Sequence, residues 1–102
     1  MAATAKVTLV TVIAVFELED RLVKDLTALG VRGYTISKVD GRGLHGARMT
    51  GLVDAPNMRI EMLVGPSLAR RILDRIAAKY GSQPIMAYTH EVQAMPAEHF
   101  SG

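Results

Sequence analysis

At 102 residues and 11.0 kDa, with 49% hydrophobic residues and a formal charge of +2, the chain has material for one two-layer domain and none for a separate catalytic domain. Its 12 basic and 10 acidic residues are interspersed, which excludes the one-sided basic stripe of a nucleic-acid-binding surface. The absence of cysteine removes disulfides, iron–sulfur clusters and thiol catalysis and suits a reducing cytoplasm, while the apolar run Val7 to Phe16 is far short of the roughly 20 residues a membrane span needs and is followed by no small-residue cleavage site.

Lys6 to Ile13 is rich in Val, Thr and Ile, with apolar residues in both alternating sets, and predicts a central strand covered on both faces. Leu18, Leu22, Leu26 and Leu29 then recur at helical spacing. Glu17, Glu19 and Asp20 sit where the helix dipole favours acids, and Gly30 marks the end. Val31 to Val39 reads as a second strand. Met58 to Val64 reads as a third, placing Met58, Ile60, Met62 and Val64 on one face and Arg59, Glu61 and Leu63 on the other. Pro66 opens a second helix whose apolar stripe is Leu68, Ile72, Ile76 and Tyr80, and Gly81 follows it. Ile85 to Val92 forms the last strand, and residues 93–102, which include Pro96, read as a weakly ordered tail. The order βαββαβ predicts an α+β ferredoxin-like plait spanning 1–102 as a single domain. It has a four-stranded antiparallel sheet, both helices on one face, and the other face left for self-association.

The connection from Asp40 to Asn57 exceeds the usual hairpin loop of about 2–5 residues and carries glycines and arginines in place of bulky groups. Within it, Gly41-Arg42-Gly43-Leu44-His45-Gly46 has the letters of a dinucleotide-binding fingerprint, but no helix starts there, and the chain has no P-loop sequence. What remains is a backbone able to approach an anion, with Arg42 and Arg48 supplying bidentate contacts, against the plainer alternative of a surface loop. His45, His90 and His99 show no metal-ligand spacing, no nucleophile elbow is present, and Arg70, Arg71 and Arg75 with Asp74 read as a solvated helix face. Lys79 at the second helix end serves either the helix dipole or an anion, and Tyr88 with His90 on one side of the last strand serves either packing or a cleft.

The run Gly33-Tyr34-Thr35-Ile36 leading to Gly41-Arg42-Gly43 and Arg48, with Arg59-Ile60-Glu61 and Ala78-Lys79-Tyr80, resembles the PII signalling superfamily over about Lys6 to Val92. Within it the chain is most similar to the PII-like group tied to inorganic-carbon uptake, the SbtB and carboxysome-associated proteins. The resemblance implies a non-enzymatic homotrimer with an adenine nucleotide in each cleft between subunits. It also implies that the long connection, 40–57, acts as a T-loop that reports ligand state to a bicarbonate transporter or carbon-concentrating partner, with bicarbonate as a second ligand. By position it gives Thr35 to the adenine end, Gly41, Gly43 and Arg48 to the phosphates, and Glu61 and Leu63 to the cleft wall.

The chain departs from that pattern in two places. Gly81-Ser82-Gln83-Pro84 lacks the phosphate-binding lysine of the nitrogen regulators, and Gln93-Ala94-Met95-Pro96 lacks their terminal basic residues. With fewer cations to offset phosphate charge, AMP or ADP is expected ahead of ATP, with cyclic AMP a further nucleotide ligand to weigh. No tyrosine lies between Asp40 and Asn57, so uridylylation is not expected. Two rivals share the plait. A slow nucleotide phosphohydrolase would depend on Glu61 or His90, and a structural trimer of the divalent-cation-tolerance type would take up metal through histidine.

Overall fold

The computed structural model describes residues 2–39 and 57–100. The first strand, β1, is Ala5–Val15, and it leads through a 3-10 turn at Phe16–Leu18 into α1, Glu19–Leu29. There follow β2 (Thr35–Val39), β3 (Asn57–Val64), α2 (Pro66–Tyr80), β4 (Ile85–Ala94) and a 3-10 turn at Ala97–Phe100. The sheet order is β2-β3-β1-β4 and every pairing is antiparallel. This is the expected α+β plait, with β1 as a central strand.

Cross-strand partners share a sheet face. Val10, Val12 and Ala14 of β1 lie opposite Met62, Ile60 and Met58 of β3. All six are at most 1% exposed and form one core cluster with Leu18 of the 3-10 turn, Leu22 and Leu26 of α1, and Ala69, Ile72, Ile76 and Tyr80 of α2. The alternation read from β3 holds: Arg59 and Glu61 are half-buried and Leu63 exposed on the face turned away from the helices.

Two boundaries differ from expectation for local reasons. β2 starts at Thr35 instead of Val31, because Val31 belongs to the helix-ending turn. The Gly30 N–H donates to the Thr27 carbonyl and the Val31 N–H to the Leu26 carbonyl, each at 3.0 Å, and Val31 and Leu26 are both buried. That is the Schellman arrangement with its apolar contact. The segment read as a weakly ordered tail carries regular structure through Phe100. β4 continues to Ala94 paired with Ala5, and the His99 N–H donates to the Pro96 carbonyl at 3.0 Å to close the following turn.

Gly30 has φ +113°, left-handed backbone that a side chain disfavours even though open space surrounds its Cα. Gly30→Ala is therefore expected to lower unfolding free energy by about 1 kcal/mol without a steric clash, read as a shifted urea midpoint at unchanged m-value.

Candidate functional site

A cleft of about 910 Å³ opens at the β2–β3 edge of the sheet, within the roughly 300–1,000 Å³ typical of small-molecule sites. Four parts of the chain build it: the turn from Gly30 to Thr35, the end of β3 with Gly65 and Pro66, the start of β1 at Lys6 and Val7, and His99 with Phe100. The Schellman turn leads through Arg32, Gly33 and Tyr34 into β2. The pleat then sets the wall: Thr35 pairs with Glu61, and both project to the face opposite the helices with Leu63. Arg59, two residues before Glu61 on the same face, holds it with an Nε–Oε1 distance of 3.8 Å, a half-exposed ion pair worth little on its own.

The sequence-predicted residues divide into three groups. Thr35, Glu61 and Leu63 come together in the cleft. Tyr88 and His90 occupy the same sheet face, in register with them: Thr35, Glu61, Thr11 and Tyr88 form one cross-sheet row, while Leu63, Leu9 and His90 form the next. Two strand spacings, about 10 Å, separate β4 from β3, however, and neither residue lines the cleft. Gly41, Arg42, Gly43 and Arg48 lie outside the described residues.

Lys79 is placed elsewhere. Its Nζ donates to Asp25 Oδ1 of α1 at 2.8 Å, and the Tyr80 hydroxyl donates to the other carboxylate oxygen. Asp25 thus receives both ends of a clamp joining α2 to α1. Burial pushes the Asp25 carboxyl upward, but the hydrogen bonds from Lys79 and Tyr80 and the charges of Lys79 and Arg75 outweigh it, so the group titrates below its ordinary 3.8. Burial first and the Asp25 contacts second push the Tyr80 phenol up to about 12, so it stays a donor.

Sequence reasoning missed Lys6, Arg32, Tyr34, His99 and Phe100 in the cleft. Lys6 and Arg32 add two cations there, and neither makes an ion pair among the described residues. Among those residues no group of three or more His, Asp or Glu is placed to hold a metal ion, and no helix is long and apolar enough to cross a membrane.

Residues 7–96 match the family described as nitrogen regulatory protein P-II. The chain belongs to the P-II family. P-II proteins are signalling proteins, generally non-enzymatic, typically trimeric, and they act on partner proteins. A PII-like signalling protein from Thermus thermophilus is 31% identical, with 99% of this chain and 100% of that one covered at a TM-score of 0.80. The fold is shared with CPII from Thiomonas intermedia. Its structure bound to ADP, AMP and acetate is 19% identical over 96% of this chain and 97% of that one, at a TM-score of 0.82. Its structure bound to ADP and bicarbonate is 21% identical over 92% and 93%, at 0.77. Among curated proteins, none matches this chain.

The clamp gives a pH signature with a fixed sign. Because the Asp25 pKa is lowered by folding, its contribution is in place above pH 3.8 and is lost as pH falls through the folded value. Tyr80→Phe is expected to cost about 1–2 kcal/mol near pH 7, with the difference from the unchanged protein shrinking below about pH 4 in urea titrations. A difference independent of pH down to acid denaturation would assign the loss to packing.

Proposed function

We propose that this chain is a cytoplasmic, homotrimeric signalling protein that binds an adenine nucleotide in the cleft at the β2–β3 edge and belongs with the SbtB and carboxysome-associated PII-like proteins. AMP and ADP are its preferred nucleotides, bicarbonate its second ligand, and a bicarbonate transporter or carbon-concentrating protein its partner. One observation carries the reading: Thr35, which the PII resemblance gives to the adenine end, and Glu61 and Leu63, which it gives to the cleft wall, line one cleft of nucleotide size. The Thiomonas protein of the same fold, bound to ADP and AMP and in another structure to ADP and bicarbonate, supports the choice of ligands.

The open sheet face supports self-association. Tyr88 is 47% exposed, Met86 42% and Leu63 39%, all on the side the helices leave bare. A second and third copy placed there would remove this apolar area from water at about 25 cal/mol per Å². A cleft at the sheet edge then lies where a neighbouring subunit adds its own wall.

Signalling follows from the phosphate end. Gly41, Gly43 and Arg48, outside the described residues, supply backbone N–H groups and a guanidinium to the phosphates, and the connection 40–57 takes up a ligand-dependent arrangement that a partner reads. Ordering backbone costs about 1–2 kcal/mol per residue, so the ligand contacts must exceed that sum for the state to switch.

Isothermal titration calorimetry with AMP, ADP, ATP and cyclic AMP, each with and without bicarbonate, tests this reading. Saturable binding of AMP or ADP ahead of ATP is expected, with affinity changed by bicarbonate. Arg48→Ala should weaken ADP by about tenfold and adenosine far less, the value of one charge-assisted contact. Equal losses for both ligands would remove Arg48 from the phosphate site, and no binding across the panel would overturn the nucleotide reading.

A further inference from the structure

Neither the core nor the phosphate contacts explain the side of the cleft formed by the Ala97–Phe100 turn. Resting on the reading of the cleft as an adenine-nucleotide site, we propose that His99 and Phe100 form its base-contacting wall, with the Phe100 ring as the face on which the purine stacks.

Phe100 lines the cleft together with Tyr34, Thr35 and Glu61. It is only half-buried and lies outside the hydrophobic core cluster, so core packing does not account for a phenyl ring there. The ring is nevertheless held. His99 packs against it in a T-shaped pair, with centroids 5.0 Å apart and planes at 76°, a favoured aromatic geometry in which His99 covers at most one face of the phenyl ring. The His99 N–H is fixed on the Pro96 carbonyl, and the chain just before it is fastened to the start of β1. There Ala94 pairs with Ala5, and the Thr4 hydroxyl donates to Gln93 Oε1 at 2.8 Å. That same strand start contributes Lys6 and Val7 to the cleft, so the wall and the floor are tied together.

The chemistry suits a planar heteroaromatic ligand. Stacking on an aromatic side chain needs no hydrogen-bond pattern, while the polar groups of Thr35 and Glu61 stand on the same cleft to meet a ring edge. A contact to the base predicts a loss independent of phosphate number, which separates it from any contribution of Arg48.

The test is titration calorimetry of adenosine, AMP and ADP against the full chain, Phe100→Ala, Phe100→Tyr, His99→Ala and a chain ending at Pro96. Phe100→Ala and the shortened chain are expected to weaken all three ligands by a common factor of about ten, Phe100→Tyr to stay within about twofold of the unchanged protein, and His99→Ala to fall between. Unchanged affinity in Phe100→Ala, or a loss that grows with the number of phosphates, would overturn the proposal. Tighter binding by the shortened chain would overturn it as well and make the segment a plug. If the unchanged protein binds none of the three ligands, the adenine-nucleotide reading itself falls and this inference with it; binding by the unchanged protein with no effect of Phe100→Ala removes the inference alone.

Discussion

The antiparallel pairing of β1 on both its edges is the constraint from which the rest of the molecule follows. Once Val10, Val12 and Ala14 are committed to the helices, alternation carries Met58, Ile60 and Met62 with them and sends Glu61 and Leu63 to the opposite side. A slip of one residue in β3 would turn Arg59 and Glu61 into the core and three large apolar groups out of it. Each of those groups gains about 1.5–3 kcal/mol from burial, a large fraction of the stability of a domain this small. The cleft wall is therefore positioned by the core: Glu61 is where it is because Ile60 and Met62 are where they are.

Local pattern made most of the fold legible, and the exceptions have identifiable causes. α2 was readable from Pro66 to Tyr80 because both ends carry backbone signals and the stripe between them is regular. Val31 to Tyr34 looked like strand because Val31 and Tyr34 favour it, yet Val31 is spent on the Schellman contact with Leu26, and β2 can begin only after the chain has turned. Residues 93–102 read as a weakly ordered tail, whereas Gln93 and Ala94 extend β4 and Pro96 supplies the carbonyl that closes the Ala97–Phe100 turn, a role without a periodic signature.

The candidate site was legible by halves for the same reason. Strand parity puts Glu61 and Leu63 on one face of β3, and the PII resemblance supplied Thr35, which the β2–β3 register sets opposite Glu61. The other half, Lys6, Arg32, His99 and Phe100, comes from positions that only the completed topology makes neighbours. Lys79 shows the converse. Its place at a helix end was evident, but its partner Asp25 is 54 residues away on α1, and no spacing rule connects them. The clamp so formed fixes the two helices against one another, and both lead to the cleft, α1 through the Gly30 turn and α2 from its first turn at Gly65 and Pro66.

The placement of the cleft also bears on signalling. Thr35 and Glu61 are directly paired, and four residues farther along the same ladder Val39 pairs with Asn57, which flank the connection between β2 and β3. At about 3.3 Å per residue the two ends of this ladder are about 13 Å apart, joined by backbone hydrogen bonds and backed by the core side chains Met58 and Ile60 with Ile36 packed against them. Such a ladder is stiff compared with a loop, because moving one rung breaks hydrogen bonds and shifts close-packed side chains together. A group that touches Thr35 or Glu61 is thus linked to Val39 and Asn57 through a short, hydrogen-bonded element. On the proposed nucleotide reading, a difference between two ligands that both touch Thr35 and Glu61 therefore has to come from their contacts beyond Val39 and Asn57.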